Sequence, residues 1–154
     1  MESAHLAEIY VDGACSGNPG PAGIGAVLFL DGATTPTRQL SKYLGEATNN
    51  IAEYLALVYA LQEALHLGCR SVKVYTDSEL LVRQLHGTYK IRNSTLRLFY
   101  DQIQHLAAGF QAFQIEHIPR TKNRLADRLA TQAVSAGAAA GRTLTTELHQ
   151  RTAG

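Results

Sequence analysis

Four carboxylates of this 154-residue chain, Asp12, Glu53, Asp77 and Asp127, are candidates for holding metal ions. Asp12 closes an apolar run in Tyr10-Val11-Asp12-Gly13-Ala14-Cys15-Ser16-Gly17-Asn18-Pro19-Gly20, and the loop after it is too small to cover it. An acid at the end of a buried strand is costly unless something positive compensates it. Glu53, Asp77 and Asp127 occupy similarly apolar settings. Four such groups brought together repel one another and take up protons unless cations neutralise them. Hard divalent cations with oxygen ligands, Mg²⁺ foremost, meet that need without His or Cys. Two ions held by shared carboxylates activate a water and stabilise a leaving oxygen in phosphodiester cleavage.

Each acid also has a plainer explanation. Asp12 could cap the Gly-rich turn, and Asp77 could N-cap a helix starting at Ser78. Glu53 could be first-turn charge favouring the helix dipole, and Asp127 could pair with Arg124 or Arg128. Four such coincidences at converging positions are far less probable than one. The joint pattern carries the inference.

The elements that must position these groups follow from hydrophobic periodicity and turn residues. Strands are expected over about Ala7–Asp12 and Gly23–Leu30. The Asp31-Gly32 turn leads into an antiparallel third strand over about Ala33–Leu44. Thr48-Asn49-Asn50 supplies cap-type residues for a helix over Ile51–Leu67, with Glu53 in its first turn and Gly68 as its stop. Val72–Asp77 reads as a fourth strand, Ser78–Leu85 and Ser94–Leu106 as two helices, and Phe113–Ile118 as a fifth strand. Arg124–Ala136 reads as an alanine-rich closing helix. The order βββαβααβα predicts an α/β fold: a five-stranded mixed sheet, three antiparallel strands and then two parallel ones, flanked by helices. If the first and fourth strands are neighbours, Asp12 and Asp77 emerge side by side, and the first long helix can lay Glu53 across them.

The length fits one domain with a real core. We expect that domain over residues 1–137, with a flexible or loosely docked tail over 138–154. No apolar run approaches the ~20 residues needed to span a bilayer. Two cysteines, Cys15 and Cys69, with no secretion signal suggest reduced thiols in the cytoplasm. Neither has a second Cys or a His at ligand spacing, which argues against a thiolate metal site. A formal net charge of +1 excludes a grossly basic, purely electrostatic nucleic-acid binder. The positives around Arg120, Lys122 and Arg124 adjoin Asp127 and read as a backbone-contacting patch. Arg97 and Arg128 read as solvated helix faces.

The segments Tyr10–Gly20, Thr48-Asn49-Asn50-Ile51-Ala52-Glu53, Tyr75-Thr76-Asp77-Ser78 and Asn123-Arg124-Leu125-Ala126-Asp127 resemble, in order and spacing, type 1 ribonuclease H. The likeness runs from about Ala7 to Ala136. It implies the ribonuclease H-like fold and endonucleolytic cleavage of the RNA strand of RNA–DNA hybrids. The products carry 5′-phosphate and 3′-hydroxyl ends, and the cofactor is Mg²⁺ or Mn²⁺, two ions per site in the substrate complex. The resemblance makes Asp12, Glu53, Asp77 and Asp127 the metal-binding catalytic set of a monomer. It carries sugar contacts to Cys15, Asn49 and Asn50, and contacts with the DNA-strand phosphate to Asn18 and Thr48. Gly13 and Asn123 complete the expected nucleic-acid-binding set. Telling RNA from DNA requires hydrogen bonds to the 2′-hydroxyl, and the small Gly13–Asn18 loop and the two asparagine amides suit that task.

Three departures stand out. Many relatives carry a loop histidine shortly before the last aspartate; Pro119-Arg120-Thr121-Lys122-Asn123 has none, and the alternation of Phe113–Ile118 assigns His117 to the strand. Arg120 is then the expected loop group nearest the scissile phosphate, supplying charge without proton transfer. The basic, Trp-rich protrusion of some members is missing, with Tyr89-Lys90-Ile91-Arg92-Asn93 in its place. Glu79 stands where an amide often contacts RNA. The alternatives are a non-catalytic hybrid- or RNA-binding module, and a nuclease on the same fold that also cuts double-stranded RNA.

Overall fold

A computed structural model describes the backbone of residues 5–153 and the side chains of residues 5–140. Five strands, β1 (Leu6–Cys15), β2 (Gly20–Leu30), β3 (Arg38–Ala47), β4 (Ser71–Thr76) and β5 (Ala112–His117), form one sheet in the order β3-β2-β1-β4-β5. β1–β2 and β2–β3 pair antiparallel; β1–β4 and β4–β5 pair parallel. The expected mixed sheet is present.

Helices cover its two faces. α1 (Asn49–His66) packs on β1 and β2, with α2 (Glu79–Leu85) and α3 (Ser94–Ala107) beside it. Their shared core contains Ile9, Val11, Ile24, Leu28, Leu57, Leu61, Val74 and Ile103. Ala52, Ala56, Ala60 and Ala64, four residues apart, give α1 a small-residue stripe that is fully buried. Buried Tyr54 donates its hydroxyl to Gln84, whose amide donates to the Lys90 carbonyl at 3.2 Å. That chain ties α1, α2 and the connection to α3 together.

α4 (Arg124–Ala153), preceded by a short 3₁₀ turn at Arg120–Lys122, lies on the other face against β2, β3 and β1. Its approach depends on glycines. A methyl group at Gly25 would sit 2.1 Å from the Ala126 carbonyl oxygen, and one at Gly23 would sit 2.9 Å from that of Ala130. The Ser41 hydroxyl donates to the Leu129 carbonyl at 2.7 Å and fixes the helix to β3.

Several expected boundaries are corrected. β1 runs on to Cys15 and β2 begins at Gly20, so Gly13 belongs to a strand and the loop is only Ser16–Pro19. The Asp31-Gly32 turn closes, with the Ala33 N–H bonded to the Leu30 carbonyl, but β3 starts at Arg38 rather than Ala33. Pro36 lacks the N–H a ladder needs, and pairing resumes only where the Thr37 N–H reaches the Leu28 carbonyl at 2.8 Å. α4 does not stop at Ala136 but continues through Gly137 to Ala153, sustained by the alanines that follow. The docking expected for the tail over 138–154 lies outside the described side chains. Among the described residues no helix is long and apolar enough to cross a membrane.

Candidate active site

The parallel pairing of β1 with β4 brings Val11 level with Thr76. The next residue on each strand is a carboxylate, so Asp12 and Asp77 leave the sheet as neighbours. Asp77 does not cap α2. Ser78 does, its hydroxyl accepting from the Leu81 N–H at 3.3 Å, while the Thr76 hydroxyl accepts from the Ser78 N–H at 3.1 Å and holds the turn. The Asp77 carboxylate is left free for the cavity.

Glu53 arrives from α1. Thr48 is that helix's N-cap, accepting from the Ile51 N–H at 3.2 Å, so Glu53 falls in the second turn rather than the first and owes nothing to the helix dipole. Its placement depends on Gly13. A methyl group there would lie 2.5 Å from the Ala52 carbonyl carbon and 2.6 Å from the Glu53 nitrogen, so only glycine lets α1 come this close to β1. Gly13 is thereby the packing residue that sets Glu53 beside Asp12.

One oxygen from each of Asp12, Glu53 and Asp77 lies within 4.8 Å of the others. The fourth acid, Asp127, lies on the wall of the same cavity of about 740 Å³, where it meets Arg120 at 3.8 Å rather than Arg124 or Arg128. Asp12 is 4% exposed; it accepts from the adjacent Gly13 N–H at 3.0 Å and lies within hydrogen-bonding reach of Asp127 and Glu53. Glu53 Oε2 is buried with no hydrogen-bond partner.

The electrostatic strain is correspondingly large. Burial, then Glu53 and Asp77, push the Asp12 carboxyl up to about 10. Burial pushes Glu53 up to about 8, with Asp77 reinforcing the shift and Asp12 and the Gly13 N–H opposing it. Desolvating a charge costs several kcal/mol per ion without a counter-charge. An orphaned buried carboxylate oxygen among clustered hard donors fits a divalent cation, and no His or Cys is needed.

Residues 10–133 match the family described as reverse transcriptase-like. The bifunctional protein Rv2228c of Mycobacterium tuberculosis is 42% identical over 130 residues, which are 84% of this chain and 36% of that protein. The chain therefore spans about a third of the length of that relative. A ribonuclease H of Symbiobacterium thermophilum is 36% identical over 145 residues, covering 84% of this chain and 95% of the relative. The crystal structure of LC11-RNase H1 in complex with RNA/DNA hybrid superposes with a TM-score of 0.80 at 40% identity, covering 85% of this chain and 98% of that one.

This chain belongs to the ribonuclease H family. Within that ribonuclease H frame the remaining expected residues separate into two groups. Asn49 and Asn50 are exposed at the start of α1, beside Glu53, and Asn49 lines the cavity. Asn18 is exposed and accepts from the Asn49 N–H at 3.1 Å, leaving its amide N–H groups free; Thr48 is partly exposed beside it. Cys15 lines the cavity too, but its thiol is turned toward the carbonyls of Gly17, Gly20 and Ala47 and clasps the Ser16–Pro19 loop to β3.

Asn123 is the correction. It is 1% exposed, and its amide donates to the Val11 carbonyl at 2.8 Å. It braces β1 at the residue before Asp12 and has no surface to offer a nucleic acid. Arg120, the loop group expected in place of the family's histidine, is exposed and lines the cavity. His117 ends β5, as its alternation required, yet it also lines the cavity, because its strand pairs level with Thr76. Thr131 and Ser135 were missed. They stand four and eight residues after Asp127 on α4, and that helical spacing was the available signal. Glu79 is exposed and spent on Arg83 at 2.9 Å.

Proposed function

We propose that this chain is an endonuclease that hydrolyses the RNA strand of RNA–DNA hybrids with the help of two Mg²⁺ or Mn²⁺ ions. The observation that carries the reading is the set of carboxylate oxygens from Asp12, Glu53 and Asp77 within 4.8 Å, in a pocket where one Glu53 oxygen has no partner. The resemblance to a ribonuclease H1 solved with an RNA/DNA hybrid supplies the substrate class.

When bound, the cations supply a nucleophilic water at neutral pH and charge stabilisation for the leaving 3′-oxygen. The chain's own residues do the rest. Asp12, Glu53 and Asp77 would hold the cations, with Asp127 beside Asp12 in the same cavity. Asp12 and Glu53 are held in place by backbone packing at Gly13 and by the Asn123 brace, so the ligands need little rearrangement. Arg120 places a guanidinium at the rim, beside Asp127, where it neutralises phosphate charge without exchanging a proton. Asn49 and Asn50 present amides that both donate and accept, as reading a 2′-hydroxyl requires. Asn18 and Thr48 take a phosphate of the DNA strand with the donors their internal bonds leave free. Recognition through sugars and phosphates is independent of sequence and weakened by salt.

The test is a cleavage panel of end-labelled hybrid, duplex RNA, duplex DNA and single strands, with Mg²⁺, Mn²⁺ or EDTA. The expected result is cleavage of the hybrid's RNA strand, abolished by EDTA. Hybrid binding without cleavage in either metal would favour a non-catalytic module, and equal cutting of duplex RNA would remove the hybrid preference.

A further inference from the structure

A groove of about 550 Å³ runs from the catalytic cavity along the first turns of α4, lined by Arg120, Arg124, Arg128, Thr131 and Gln132 among others. It shares Arg120, Asp127 and Thr131 with that cavity, so the two are continuous. Its charges are arranged against the helix. Arg124 and Arg128 are exposed, four residues apart, and repel each other. Arg124 stands in the first turn of α4, where the backbone dipole is already positive and favours acids. Among the described residues the one carboxylate lining the groove is Asp127, which also meets Arg120. Neither Arg124 nor Arg128 makes an ion pair with a described residue. Arg38, Arg83 and Arg97 each reach a carboxylate, at 3.4, 2.9 and 3.4 Å. Cations placed where nothing inside the described protein compensates them are complementary to an anion from outside.

We propose that this groove binds the phosphodiester backbone of the cleaved strand beyond the scissile phosphate, with Arg124 and Arg128 each taking one phosphate. This rests on the reading of the catalytic cavity given above, because the strand entering the groove is the one whose phosphate lies at the carboxylates. One helical turn sets the two side chains about 5–6 Å apart at Cβ, close enough to serve successive phosphates. Arginine suits the task, since its planar fork meets phosphate oxygens bidentately and cannot lose its charge. Thr131 and Gln132 add neutral donors on the same wall. The groove thus supplies non-specific grip in a chain that has no Trp-rich basic protrusion.

The test is equilibrium binding of a labelled RNA–DNA hybrid to the full chain in EDTA, where cleavage cannot occur, across a salt series. Three proteins are compared: wild type, the double variant Arg124→Gln/Arg128→Gln, and the control Arg38→Gln/Arg97→Gln with the same charge loss. Removing two phosphate contacts should lower the slope of log affinity against log salt by about 2 and weaken low-salt binding at least tenfold. The control should keep the wild-type slope. The groove variant should melt at the wild-type temperature or higher, since a repulsion is relieved. An unchanged slope, or an equal loss in the control, overturns the proposal. So does a large fall in melting temperature, which would make the arginines structural. Cleavage by the wild type with Mg²⁺ is scored separately: its failure sinks the catalytic reading, whereas cleavage with an unchanged variant slope sinks only the groove.

Discussion

Asp12 and Glu53 are held in a state that ordinary carboxyls avoid, and this has a consequence for stability. Their folded pKa values of about 10 and about 8 lie above those of an unfolded chain, so the metal-free native state binds protons that the unfolded state has released. Stability from this source is complete below about pH 4 and is lost as pH rises toward 8 to 10. In EDTA the melting temperature should fall between pH 5 and pH 9. Added Mg²⁺ should restore it most at the alkaline end, and Asp12→Asn should flatten the profile. A profile in EDTA that rises with pH would contradict the description of the cavity. Gly13→Ala makes a second test. The methyl group would meet the backbone of Ala52 and Glu53, so overpacking should cost about 1–3 kcal/mol. It should also move Glu53 away from Asp12. We expect lower activity with a raised Mg²⁺ requirement, measured by cleavage against metal concentration. Arg120→Ala should lower turnover about tenfold without abolishing it, as loss of one charge at an exposed rim position implies; an unchanged rate would retire that role.

Elements, rather than single residues, account for what the sequence made legible. Asp12 and Asp77 were readable as neighbours because strand ends and a parallel crossover are encoded in local patterns, and the β1–β4 register confirmed the pairing. The approach of α1 and α4 was not readable, because it depends on what a missing Cβ allows. Gly13 reads as part of a loop and Gly23 and Gly25 as strand residues, but nothing in their sequence shows that a helix backbone presses on each of them. Gly25→Ala should therefore destabilise the protein by about 1–3 kcal/mol or more, since the Ala126 carbonyl cannot yield as a side chain could. Chemical denaturation would check this, and a stability within 0.5 kcal/mol of wild type would show that α4 can shift. Asn123 shows the same limit in reverse. An asparagine beside a catalytic-type motif reads as a contact, and only the Val11 carbonyl at 2.8 Å reveals a brace. The closing helix was expected to end at Ala136, where the composition changes, yet it runs on through Gly137, over which Tyr43 packs so closely that only glycine fits.

Across the molecule, the near-neutral total conceals a division of charge. Carboxylates collect toward the C-terminal ends of the interior strands β1 and β4, and guanidinium groups line the groove that leads away from them. Each cluster is unfavourable within the chain alone, and on the reading proposed above each would be complementary to part of one ternary assembly of protein, divalent cation and phosphodiester. The helices and core hold both clusters on one frame, and the proposed substrate and cations would complete the electrostatics. The most direct measurement is Mg²⁺-dependent cleavage of a labelled RNA–DNA hybrid by the wild type and by Asp77→Asn, whose melting temperatures should be similar. The account predicts cleavage by the wild type and a loss of at least a thousandfold in the variant. Near-normal cleavage by Asp77→Asn would contradict it, because one of the three converging carboxylates would then be dispensable.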